Sequence, residues 1–239
     1  MKIQKVKFKS NGDFIRGTIL YPQKMKLSNP SIIFFHGWAS NEKRYIERAK
    51  YLVKLGYICF AFNLRGHGTS DGDIKRLSRE DHLNDIIAAY KYLIKQDYVD
   101  KAKISLVGKS YGGYLSIIAS SKINFNKLIL IAPALYPDED FDKPTYELIK
   151  KNPNIFRQYK TDYRNNIALR SFRNFEKEKM LIVCEKDEEV PRSITDCYKN
   201  SVNNYSNFTY KVIKDTDHTF SKEEWNINFI KILIQFFKL

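Results

Sequence analysis

Cysteine is scarce in this 239-residue chain, and its few positions exclude two ways of holding a fold together. Cys59, Cys184 and Cys197 are odd in number and match no metal-ligand spacing. Cys59 and Cys184 sit inside apolar runs, as small core residues do. A disulfide framework and a cysteine-based metal site are both set aside. The pattern is that of a reduced, intracellular protein, so a cytoplasmic location is expected. No apolar run reaches the length of a membrane-spanning helix, and the opening "MKIQKVKFKSNGDF" has no apolar signal core. Internal repeats, low-complexity tracts and Gly/Ser linkers are missing as well. A single domain over 1–239 is expected, long enough to bury a core without staples.

Acidic residues are also in deficit, and the formal charge is +14. Through residues 1–60 only Asp13, Glu42 and Glu47 oppose the lysines and arginines that run from Lys2 to Lys54. No helix-turn-helix, zinc-finger or RNA-binding signature accompanies this excess. A lysine-rich solvated surface is favoured over a nucleic-acid interface, and no nucleic-acid partner is expected. A positive face that draws in anionic substrates or anionic lipid is the weaker reading.

What is present is a regular alternation. "SIIFFHG" (31–37), "YICFAFN" (57–63), "AKISLVG" (102–108), "KLILIA" (127–132), "KMLIVCE" (179–185) and "NFTYKVI" (207–213) read as strands. Helical patterns separate them. In 41–56 Tyr45, Ala49, Leu52 and Val53 share a face, with Asn41 as a cap and Gly56 as a stop. Ser78 to Asp81 resembles a capping box with Asp in the usual Glu position, and 111–120 and 221–237 complete the set. The first residues read as a hairpin around Asn11-Gly12-Asp13. The class is α/β: a mostly parallel central sheet with helices on both faces and an N-terminal antiparallel hairpin. Sites in such sheets lie at the carboxyl ends of the strands.

At one such end stands Gly108-Lys109-Ser110-Tyr111-Gly112, a Gly-x-Ser-x-Gly where a buried strand runs directly into a helix. Small residues on either side let strand and helix approach, and the helix N-terminus supplies free N–H groups and partial positive charge. An activated serine needs a base, and the base an orienting carboxylate. Only four histidines are available. His82 belongs to an amphipathic helix, and His36 and His67 precede glycines in loops. His218 follows the last strand, where it can reach a serine at the sheet edge. For the carboxylate, Asp187 competes with Glu185, Glu188 and Glu189. Asp215 and Asp217 lie too near His218 in sequence and read as turn formers. The order Ser110, Asp187, His218 is that of the α/β-hydrolase triad.

With "FFHGW", "FNLRGHGTSDG", "GKSYGG", "CEKDEEVP" and "DTDHTF" in this order, nearly the whole chain resembles the α/β-hydrolase superfamily. It is similar to small bacterial carboxylesterases of the cinnamoyl/feruloyl-esterase-like and serine-aminopeptidase-like groups. The resemblance implies Ser110 as nucleophile, His218 as base and Asp187 as its orienter. The oxyanion hole would use the backbone N–H groups of Trp38 and Tyr111. His36 and Arg65-Gly66-His67-Gly68 would shape loops. Neither metal nor organic cofactor is implied. Two positions depart from the pattern: Lys109 stands where His is common, and Cys184 where Gly is common.

The resemblance further implies a short inserted cap, about 133–175, too long for an ordinary connection and rich in aromatics. Tyr136, Phe141 and Tyr146 are its candidate substrate-binding residues, with Phe156, Tyr159, Tyr163 and Phe172 beyond them. The expected activity is hydrolysis of a small-molecule carboxylic ester, of short to medium chain or with an aryl acyl group. Thioesterase, lysophospholipase, amidase or peptidase, and acyltransferase activities would use the same triad. A non-catalytic binding role stands against the intact triad. A monomer and a homodimer are equally compatible with the sequence.

Overall fold

The computed structural model describes residues 1–155 and 165–238. Its strands are β1 (Lys2–Ser10), β2 (Asp13–Tyr21), β3 (Asn29–Phe35), β4 (Ile58–Phe62), β5 (Val99–Lys109), β6 (Lys127–Ile131), β7 (Glu178–Cys184) and β8 (Phe208–Ile213). The helices are α1 (Lys43–Val53), α2 (Arg79–Leu93), α3 (Tyr111–Ser120), α4 (Thr145–Lys151), α5 (Ile167–Asn174), α6 (Arg192–Ser201) and α7 (Glu223–Phe237). One sheet holds the strands in the order β1-β2-β4-β3-β5-β6-β7-β8. β1 pairs with β2 and β2 with β4 in antiparallel fashion, and the remaining neighbours are parallel.

Local chemistry accounts for the punctuation. Asn11 and Gly12 both take positive φ, 46° and 94°, the geometry a two-residue hairpin requires. Ser10 pairs with Asp13, so Asp13 opens β2 rather than belonging to the turn. The Ser78 side chain accepts from Asp81 N, and the Asp81 carboxylate accepts from Ser78 N, so the expected capping box starts α2. Gly56 ends the α1 turn at φ 94°, where a side chain would be strained.

The sheet buries both faces, which is why its central strands read as unbroken apolar runs. On one face α2, α3, α5 and α6 pack into one hydrophobic cluster; on the other, α1 and α7 pack into a second. Helix α6 was not anticipated, although Ile194, Cys197, Tyr198 and Ser201 recur at helical spacing and are all buried. The expected insertion, about 133–175, falls between β6 and β7. Residues 167–174 form α5, and its Ala168, Leu169 and Phe172 belong to the main core. Phe156, Tyr159 and Tyr163 lie outside the described residues.

Candidate active site

β5 ends at Lys109 and α3 begins at Tyr111, so Ser110 alone makes the turn between them. Its φ and ψ are 53° and −122°, a conformation that costs a residue with a Cβ about 1–3 kcal/mol. The surroundings hold it there. Ser110 N donates to Ile131 O at 2.9 Å, and Ser110 O accepts from Tyr114 N at 3.0 Å and Ala134 N at 3.1 Å. The flanking glycines are required by space. A Cβ on Gly108 would fall 2.3 Å from Ser116 Oγ and 2.6 Å from Gly112 O; one on Gly112 would fall 2.3 Å from His36 O.

The second contact brings the loop after β3 against the serine. A Cβ on Gly37 would meet Ser110 Cβ at 3.4 Å and Oγ at 3.8 Å. Trp38 follows directly. Its N–H makes no backbone hydrogen bond among the described residues, and Tyr111, first residue of α3, has no intrahelical acceptor for its own. The two donors belong to the residues next to this contact, Tyr111 after Ser110 and Trp38 after Gly37, at the positive end of a helix.

Asp187 lies in the turn after β7, its side chain 3% exposed. Its Oδ1 accepts from Glu189 N at 2.9 Å and Val190 N at 2.7 Å, leaving Oδ2 for His218 Nδ1 at 2.7 Å. Of the competing carboxylates, Glu185 accepts from Asp215 N, and Glu189 is 52% exposed with an oxygen 3.6 Å from His218 Nε2. Asp217 accepts from Ser221 and Thr219 and shapes its own turn. Among the described residues Ser110 Oγ makes no hydrogen bond. Nucleophile–base contacts are commonly loose outside the Michaelis complex. The arrangement is an imidazole with Nδ1 committed to a buried carboxylate and Nε2 left without a hydrogen bond to Asp187, 3.6 Å from the exposed Glu189.

A contact that sequence reading missed joins the two halves. The buried Lys109 amine donates to the backbone carbonyl of His218 and lies 5.0 Å from the Phe220 ring centroid. Burial pushes this ammonium down to about 8. Lysine at this position drew attention only as a departure from pattern; nothing in the sequence places its amine against a residue 109 positions away.

The other histidines form the scaffold expected of them. His36 Nδ1 bonds Gly37 O at 2.8 Å, and its Nε2 accepts from Leu64 N at 3.1 Å. His82 bridges Tyr111 OH and Arg65 O. The His67 ring lies 5.0 Å from that of His36 and 5.3 Å from that of His82. Burial holds all three below the ordinary histidine range, His36 and His82 down to about 3. Arg65 is fixed by Asp85 at 2.7 Å, with Asp81 and Asp13 farther out.

The expected substrate contacts fare differently. Tyr136 is 2% exposed and wedged against Tyr111 and Tyr114, so it packs the core beneath the site and offers no surface to a substrate. Phe141 is half-buried against the Arg79 guanidinium, whose Nη atoms donate to Pro137 O and Glu139 O and fasten the insertion to α2. Tyr146, on α4, is half-buried near Lys75.

Known proteins match this architecture. A family model, Peptidase_S9, described as the prolyl oligopeptidase family, matches residues 43–239. The inactive dipeptidyl peptidase 10 of Rattus norvegicus is 25% identical over 209 residues, 84% of this chain and 26% of that protein. The chain spans about a quarter to two fifths of the length of such curated relatives. Among solved structures, the acylaminoacyl peptidase of Pyrococcus horikoshii superposes with a TM-score of 0.76 at 19% identity, covering 99% of this chain and 41% of that one. Est1E of Butyrivibrio proteoclasticus, solved with ferulic acid, gives 0.75 at 17% identity, covering 96% and 98%. The superpositions show the α/β-hydrolase fold.

Proposed function

The chain belongs to the prolyl oligopeptidase family, and from that premise we propose that it is a serine hydrolase cleaving carboxylic esters through an acyl-enzyme on Ser110. The observation that carries this reading is a serine alone at a strained strand–helix turn, in one structure with an imidazole held by Asp187 at 2.7 Å.

His218 Nε2 takes the Ser110 proton as Oγ attacks the ester carbonyl. The imidazolium that forms keeps its Nδ1–H on Asp187. The carbonyl oxygen, now negative, accepts from the N–H groups of Trp38 and Tyr111, each worth about 3–4 kcal/mol in the transition state. Collapse expels the alcohol with the proton from His218. Water, deprotonated by the same nitrogen, then releases the acid and restores Ser110. Short- to medium-chain and aryl acyl groups are the proposed substrates, with Phe141 and Tyr146 at the rim of the insertion.

The family description and the acylaminoacyl peptidase likeness favour a second reading, cleavage of an amide or peptide bond by the same groups. One panel separates the two: p-nitrophenyl esters from acetate to palmitate, methyl ferulate, and aminoacyl p-nitroanilides, on wild type and Ser110→Ala. Ester turnover reduced by a factor on the order of 10⁴–10⁶ in the variant supports the proposal. Anilide turnover without methyl ferulate turnover supports the peptidase reading. A wild-type protein that turns over nothing and fails to react with a fluorophosphonate overturns both.

A further inference from the structure

The sheet face covered by α1 and α7 carries a groove of about 1220 Å³ that the proposed chemistry does not use. It follows α1 from Arg44 to Val53, roughly 14 Å at the helical rise, and continues past Leu55, with Phe220 to Ile230 as the opposite wall. One end abuts the segment that carries His218; the other is closed by Pro22 to Lys26.

The two ends differ chemically. At the His218 end, Arg44 and Arg48 stand one helical turn apart on α1 and line the groove. Neither forms an ion pair with a carboxylate among the described residues. Arg44 Nη1 donates to Thr219 O at 2.6 Å. Arg48 is 4% exposed; its hydrogen bond goes to Asn226 Oδ1 at 2.7 Å, and its charge faces the rings of Tyr45, Phe220 and Phe229. A buried guanidinium without a carboxylate is costly, and it fits an oxyanion bidentately. The acids on the lining are Glu47, which Lys50 holds at 2.6 Å, and the exposed Glu223. Away from the arginines the groove turns apolar, with Tyr51, Leu55, Ile227 and Ile230 on its walls. Tyr51 and Ile227 are among the few large apolar side chains left exposed, as are Met25 and Leu27 at the closing loop. Lys50 and Lys54 rim this stretch.

We propose that the groove binds a single-chain fatty carboxylate, its head on Arg44 and Arg48 and its tail between α1 and α7. Such a ligand competes for the guanidinium that holds Thr219 O, the residue after His218. It also presses on Phe220, which stacks under the Lys109 amine that holds His218 O. Occupancy therefore loosens the His218 segment and lowers kcat without competing for the acyl site. This second part rests on the serine-hydrolase reading; binding itself does not.

The test is calorimetric titration with dodecanoate below its micelle concentration, with dodecanol and acetate as the headless and tailless probes. Wild type, Ser110→Ala and fluorophosphonate-treated protein are expected to bind one dodecanoate with equal affinity. Arg44→Gln and Ile227→Asp, both at exposed positions on the groove, are expected to weaken it at least tenfold, and dodecanol and acetate to bind at least tenfold more weakly. Dodecanoate is expected to inhibit ester turnover non-competitively in wild type and not in Ile227→Asp. No binding by wild type, or unchanged binding by both groove variants, overturns the proposal. So does sedimentation with anionic phospholipid vesicles in the absence of dodecanoate binding, which would assign the face to a bilayer. If the esterase reading fails, the inhibition arm falls silent while the binding arm still decides.

Discussion

The side-chain amine of Lys109 donates to the backbone carbonyl of His218, so the residue before the proposed nucleophile holds the segment that carries its proposed base. A positively charged donor strengthens such a bond, and burial makes the charge labile near pH 8. Lys109→Met is expected to lower kcat about tenfold with little change in KM, and Lys109→Arg to recover part of it. Wild-type kcat should fall as pH rises through about 8, a limb that Lys109→Met lacks. Stability runs the other way. Between about 8 and the ordinary lysine value near 10.4 the unfolded chain binds more protons, so the Lys109 contribution rises with pH. Paired pH–rate and pH–denaturation curves check both signs. Superimposable profiles for wild type and Lys109→Met would refute the tie.

Asp187 and Glu189 offer carboxylates to opposite nitrogens of one imidazole. Asp187 is buried and fixed by two backbone donors, whereas Glu189 is half-exposed and screened. Asp187→Asn is expected to reduce kcat/KM by a factor on the order of 10³–10⁴, and Glu189→Gln to stay within about threefold. Equal losses in the two variants would make Glu189 a partner in orienting the ring.

Gly112 has no room for a methyl group, because His36 O would lie 2.3 Å from it. The clash is with the backbone of Phe35 and His36, so Gly112→Ala is expected to cost about 3 kcal/mol. For a chain of this size that lowers Tm by roughly 6–12 °C. A thermal melt within about 2 °C of wild type would mean that α3 slides to accept the methyl.

Three histidines buried side by side make the fold acid-sensitive. His36 and His82 are held down to about 3, so from the ordinary value near 6.5 downward the unfolded chain binds more protons than the folded one. Stability is present above about 6.5 and is lost as pH falls toward 3. Melts between pH 7 and 4.5 should show a steep decline. His82→Gln should begin lower, through loss of its bonds to Tyr111 and Arg65, yet decline more shallowly. Parallel curves would remove His82 from this titration.

Much of the fold was legible because burial on both faces writes itself into short ranges. "SIIFF" and "KLILI" are apolar throughout, and Ser78 with Asp81 marks the start of α2 at a spacing any reader can test. Helix α6 is written more faintly, since its buried face is interleaved with polar residues. The insertion was harder. Aromatic content alone does not separate Phe172, buried in the main core, from the half-buried Phe141, and only the fold packs Tyr136 against Tyr111 and Tyr114.

The sequence by itself determined the order of strands and helices, the glycine-flanked serine at a strand end, and the list of histidines from which a base could come. These depend on neighbours a few residues apart, where periodicity and sterics act directly. Only the tertiary structure decided that Asp187, not Glu189, is buried against His218 Nδ1, that Lys109 reaches His218 O, and that Arg48 is buried with rings around it and, among the described residues, no carboxylate partner. Such pairings join residues tens to more than a hundred positions apart. Their energies depend on distance and desolvation, and both exist only after the sheet has brought its strand ends together.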